Sequence, residues 1–143
     1  MYKRQLVVPL PPPRVSLMVL TSCARVAFAS LAIRLIARQT FPLPQLEVVL
    51  VADTTNASVA SLTSGLLGLD AVHRLIRLRP RGARWAAAEF DILEERYNPD
   101  SPGVEVALTV RLVHLDERAS IGAKRTAGLH AAHGEVVMRE CCC

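Results

Sequence analysis

The sequence predicts a layered α/β fold, Rossmann-like, with a mostly parallel sheet. Three observations carry this. Apolar runs of strand length recur along the chain, at residues 15–20, 46–51, 72–78 and 104–115. Segments with helical periodicity or helix-capping residues fall between them. The first two runs, VSLMVL and LEVVLV, are almost unbroken in their apolar character, as parallel strands covered on both faces tend to be.

Each element follows in order. Residues 1–13 form a proline-rich arm ending in Pro11, Pro12 and Pro13, which favours an extended backbone. The first strand occupies 15–20, and Thr21 and Ser22 supply capping hydroxyls for a helix over 24–38. Phe28, Leu31 and Leu35 recur there with helical spacing, and Pro42 and Pro44 end the segment. The second strand, 46–51, runs into Ala52-Asp53, after which Thr54, Thr55 and Asn56 open a helix reaching Leu67, with Gly65 and Gly68 at its end. A strand over 72–78 follows. Residues 84–97 favour helix, with Trp85, Ala88, Ile92 and Leu93 as its apolar side, and read as an insertion on the sheet edge. The dense turn at 98–103 leads to an alternating strand over 104–115. A helix over 120–133 with Gly134 as its cap, and a strand opening at 135–138, complete a 14–138 domain before the 139–143 cysteine tail.

Composition narrows the function classes. With 143 residues, 51% hydrophobic and 21% charged, the chain fits one globular domain, and 4% aromatic content leaves the core to aliphatic side chains. The net charge of +4 rests on dispersed arginines, interrupted by Glu89, Asp91, Glu94, Glu95, Asp116 and Glu117, which argues against a dedicated nucleic-acid surface. Arg25 and Arg34 interrupt the apolar stretch 15–36, so no transmembrane segment is expected. Prolines break the run after Lys3 and Arg4 too early for a cleavable signal, so a soluble, by default cytoplasmic, chain is expected. Cys23 and the terminal Cys141, Cys142 and Cys143 lack metal-site spacing, and His73, His114, His130 and His133 have no evident partner ligands.

Ligands of parallel sheets bind beyond the carboxyl ends of the strands, which singles out Thr21, Asp53 and the loop after Leu115. Asp53 also fits a turn or helix cap, Thr21 a cap, and Lys124 and Arg125 a solvated helix face.

Three blocks, in order, resemble family 2 glycosyltransferases. They are Ser16-Leu17-Met18-Val19-Leu20-Thr21, then the strand 46–53 preceded by Gln39-Thr40-Phe41-Pro42, then 120–128 continuing into Ala131-Ala132-His133-Gly134-Glu135-Val136-Val137. The last is similar to that family's G-x-x-x-R-N-x-G…A-x-G-E segment. The resemblance implies a GT-A fold binding a nucleoside-diphosphate sugar for transfer to an acceptor hydroxyl. It puts Thr21, Asp53, Lys124 and Arg125 at the donor nucleotide, with Asp53 accepting from base or ribose and the basic pair near the diphosphate. The family's acidic pair is Ala52-Asp53 here, and its asparagine after the arginine is Thr126. An intact member would use a divalent metal, Mn or Mg, held by a D-x-D motif after the 135–138 strand. This sequence reads Arg139-Glu140-Cys141-Cys142-Cys143 there, so the domain is expected to be incomplete, without catalytic or metal-ligating residues. The chain as given is expected to bind the donor without transferring it, or to act as a non-catalytic interaction fragment of the same fold.

Overall fold

The computed structural model describes residues 13–21, 26–53, 56–69, 72–81, 89–98, 108–115 and 118–141. Ser22, Cys23, Thr54, Thr55, Asp116, Glu117, residues 1–12, 84–88 and 99–107 of the segments read above, and the side chains of 139–143 lie outside them.

The chain is α/β. Its strands are β1 (Val15–Thr21), β2 (Leu46–Ala52), β3 (Val72–Pro80), β4 (Phe90–Tyr97), β5 (Leu108–His114) and β6 (Val136–Cys141). They form one six-stranded sheet in the order β4-β3-β5-β2-β1-β6, parallel except for the β3–β4 pair. The helices are α1 (Val26–Ile36), α2 (Asn56–Leu67) and α3 (Ile121–Ala131).

Every residue of β2 is buried, because the strand is central and covered on both faces. The side-chain period of two then divides the core. Leu46, Val48, Leu50 and Ala52 join Ala29 and Ile33 of α1 and Val59, Leu62 and Leu66 of α2 on one face. Val49 and Val51 join Met18, Leu20, Val113 and the α3 residues Ala127 and Ala131 on the other. Lys124, Ala127, Gly128 and Ala131 of α3 are buried at helical spacing. Its start is capped by Ser120 Oγ, which accepts the Ala123 N–H at 3.1 Å.

Several readings of the sequence are corrected. Residues 90–97 are an edge strand, not the second half of a helix. Arg74 and Arg77 of β3 meet Glu95 and Glu94 at 2.7 and 3.1 Å, and antiparallel pairing with β3 outweighs the local helix preference of Leu, Glu and Arg. Leu93 is skipped in the register, as the extra residue of a bulge. Gly134 does not cap α3, which ends on Ala132 in extended conformation. Its lack of a side chain is required elsewhere: a Cβ there would lie 2.6 Å from both the backbone N and the Oγ of Ser16. In α1 the spaced set Phe28, Leu31 and Leu35 is exposed, while Ala29 and Ile33 enter the core. The Gln39-Thr40-Phe41-Pro42 connector is held by Gln39, whose amide donates to Phe41 O at 2.9 Å and accepts the Phe41 N–H at 2.5 Å.

Candidate functional site

The carboxyl edge of the sheet gathers three of the four residues singled out from the sequence. Thr21 ends β1 and is buried, and its backbone carbonyl accepts a hydrogen bond from Lys124 Nζ at 3.1 Å. Asp53 directly follows β2, pointing to the α3 face because it keeps the parity of Val49 and Val51. Its Oδ1 lies 3.2 Å from Lys124 Nζ, and its Oδ2 accepts the Ala119 N–H at 2.8 Å. One lysine, reaching up from the first turns of α3, therefore joins the ends of two parallel strands. Arg125, the next residue of α3, is exposed.

Chain topology explains why these groups meet. The connection leaving β2 enters α2 on one face, whereas the connection leaving the neighbouring strand β5 enters α3 on the opposite face. Where neighbouring connections diverge in this way, a crevice opens beyond the strand ends, the usual ligand position in open α/β sheets. Asp53 stands at that point, where Leu115 N–H donates to Ala52 O at 2.9 Å and ties the ends of β5 and β2 together.

The electrostatics are those of a compensated buried pair. Asp53 is 7% and Lys124 6% exposed, so neither charge is solvated and each depends on the other and on backbone partners. A carboxylate has about four acceptor sites, but the Asp53 side chain is only 2% exposed, so a ligand's donor reaches it only where the surrounding chain gives way. Among the described residues no group of three or more His, Cys, Asp or Glu side chains converges. Among the described residues Asp53 faces the Lys124 cation and the Ala119 amide, a set that does not fit a divalent ion, so no step is routed through one.

A second buried polar cluster, missed in the sequence, lies at the amino end of the sheet on the same face. Glu47 is 1% exposed within the apolar run of β2. Its Oε2 accepts from Ser16 Oγ at 2.5 Å and from His133 N–H at 2.5 Å, and its Oε1 accepts from Arg111 Nε at 2.8 Å. Ser16 Oγ in turn accepts the Gly134 N–H at 2.7 Å. The signal was present as one carboxylate in LEVVLV and one arginine in VRLVHL, since a charge inside a buried strand requires a partner. Ser16 donates to the carboxylate rather than to His133, so the cluster is a clamp and not a nucleophile–base arrangement. No protein-family model, curated protein or solved structure matches this chain.

Proposed function

We propose that this chain is a donor-binding domain of glycosyltransferase type, which holds a nucleoside-diphosphate sugar at the carboxyl edge of β1 and β2. The observation carrying the proposal is the position of Asp53 at the divergence of the β2 and β5 connections, joined to Lys124 and beside the end of β1. The order of the three sequence blocks supports the same reading, since it is what brings Thr21, Asp53 and α3 to one edge.

In this reading Asp53 accepts an N–H or O–H donor from the base or ribose. Ala119 N–H and Lys124 already orient this acceptor, and its 2% exposure requires the chain around it to open for the ligand. Arg125, exposed on α3 one residue past Lys124, meets the diphosphate, for which a planar guanidinium offers paired donors. The chemistry assigned to the described residues is recognition and orientation of the donor.

Calorimetric titration with nucleoside diphosphates tests this. Binding is expected, and Arg125→Ala is expected to weaken it about tenfold or more, the worth of a charge-assisted hydrogen bond, while leaving the melting temperature unchanged. Asp53→Asn keeps the shape of the site and is expected to weaken binding of the whole nucleotide but not of inorganic diphosphate. Absence of binding by every nucleoside diphosphate at millimolar concentration sinks the proposal.

A further inference from the structure

The outer side of α1 carries apolar and cationic side chains together. Phe28, Leu31 and Leu35 are 55%, 48% and 59% exposed, although Ala29 and Ile33 already give the helix a buried side. Spaced by three and four, they form a row along the outside of the helix. Arg34 is exposed beside that row. Ala37 N–H donates to Ile33 O at 3.0 Å and Arg38 N–H to Leu35 O at 3.1 Å, so the turn runs on past Ile36. Arg38, also exposed, therefore follows Arg34 by one turn, and the two rows run next to each other.

Charge is distributed unevenly around this face. The first carboxylate in the sequence is Glu47, buried and held by Arg111 at 2.8 Å, whereas Lys3, Arg4, Arg14, Arg25, Arg34 and Arg38 all precede it. No ion pair among the described residues involves Arg34 or Arg38. Asp91, Glu94 and Glu95 lie on β4, four strand spacings from β1, or about 19 Å at the usual separation. That is more than twice the screening length of about 8 Å at physiological salt. The acidic edge therefore leaves the positive charge of α1 uncompensated.

We infer that the outer face of α1 is a docking surface for an anionic lipid bilayer, with Phe28, Leu31 and Leu35 at the boundary of headgroups and acyl chains and Arg34 and Arg38 at the lipid phosphates. Charge complementarity selects this partner. A second copy on the same face would set arginine against arginine. Nucleic acid or an acidic peptide would satisfy the arginines and leave the leucines beside them in water. A bilayer with anionic headgroups meets both rows at once, because arginine stems can lie along the apolar boundary while their guanidinium groups stay among phosphates. No helix among the described residues is long and apolar enough to cross a membrane, so the attachment is to its surface. Asp53 and Lys124 lie on the opposite, α3 face of the sheet, and docking through α1 leaves the candidate site facing water.

Flotation of the full chain with vesicles tests this, using phosphatidylcholine alone or with phosphatidylserine added. Flotation with the anionic vesicles is expected, with little on the neutral ones and release at high salt. Arg34→Gln/Arg38→Gln is expected to lower the partition about 25-fold, since a basic residue at such a surface is worth about fivefold. Leu31→Gln/Leu35→Gln keeps the charges and good helix formers, and is expected to lower it about tenfold or more. All four side chains are exposed, and circular dichroism of each variant confirms the fold. A chain that does not float with anionic vesicles overturns the inference, and so does equal flotation with neutral ones or indifference to either double change. Binding to polyglutamate or single-stranded DNA at least as tight as to the vesicles also overturns it, in favour of a polyanion partner.

Discussion

Ser16 on β1 donates its hydroxyl to Glu47 on β2 at 2.5 Å, and the two side chains together hold the turn after α3, Glu47 accepting the His133 N–H and Ser16 Oγ the Gly134 N–H. The carboxylate, at 1% exposure, can be tolerated there only because Ser16, Arg111 and the His133 amide all donate to it. Glu47→Gln keeps the volume but removes the charge that Arg111 faces and presents an NH2 group to surrounding donors. A loss of about 3–5 kcal/mol is expected, read by urea denaturation. Replacing Glu47 and Arg111 together by Met is expected to cost less than Glu47→Gln alone, because no buried charge is then left without its partner.

Gly134 is needed for close approach rather than for conformation. A Cβ there would meet the Ser16 backbone nitrogen as well as its hydroxyl at 2.6 Å, so β1 or the chain entering β6 would have to move. Gly134→Ala is expected to destabilise by about 1–3 kcal/mol. Removing the hydroxyl in a Ser16→Ala background is not expected to rescue it, since the backbone clash remains; thermal melts of the single and double variants make the comparison.

Gly128 poses the same problem with a different neighbour. A methyl group on its Cα would fall 2.6 Å from Met18 Sδ, the far part of a flexible but fully buried side chain. Gly128→Ala is expected to cost about 1–3 kcal/mol. Here rescue is possible: shortening Met18 to Val should recover part of the loss, giving a favourable coupling of about 1 kcal/mol in a double-mutant cycle of urea-denaturation energies. Strict additivity would show that α3 does not rest on Met18.

How far the sequence disclosed this arrangement depends on whether the cause was local. β1 and β2 were legible because burial on both faces forces unbroken aliphatic runs, and α3 was legible as a segment, though Gly134 is not the cap it was read as. β4 was not, because Glu94, Glu95 and Arg96 favour helix locally and become strand only through pairing with Arg74 and Arg77 of β3. The periodicity of α1 was real, but apolar residues line both of its sides, and spacing alone does not say that Ile33 rather than Leu35 faces the sheet. At the candidate site the meeting of Thr21, Asp53 and Lys124 followed from block order, whereas the Glu47 clamp arises from residues up to 118 positions apart.

Lys124 supplies a counter-charge to Asp53, and it does so from a buried position. Lys124→Met therefore leaves a carboxylate held by the Ala119 amide but stripped of that counter-charge. A loss of about 3–5 kcal/mol is expected, with part recovered in Asp53→Asn/Lys124→Met, where the aspartate charge is also gone. Chemical denaturation of the two variants beside the unchanged protein decides it: equal losses in the single and double changes would mean that Lys124 acts by packing its stem rather than by its charge.

Gly122 separates stability from ligand approach. It is the second residue of α3, and among the described residues a Cβ there would meet Ser120 Oγ alone, at 3.9 Å, an ordinary contact distance. Alanine in a helical position lowers the entropy of the unfolded chain, and Gly122→Ala is expected to stabilise by about 0.4–1 kcal/mol. If a diphosphate sits against the backbone at the start of α3, the same methyl stands in its way. Affinity for a nucleoside diphosphate should then fall as the melting temperature rises, two changes of opposite sign from one substitution. A rise in melting temperature with unchanged affinity in calorimetry would move the phosphates away from this turn and leave Arg125 as their contact.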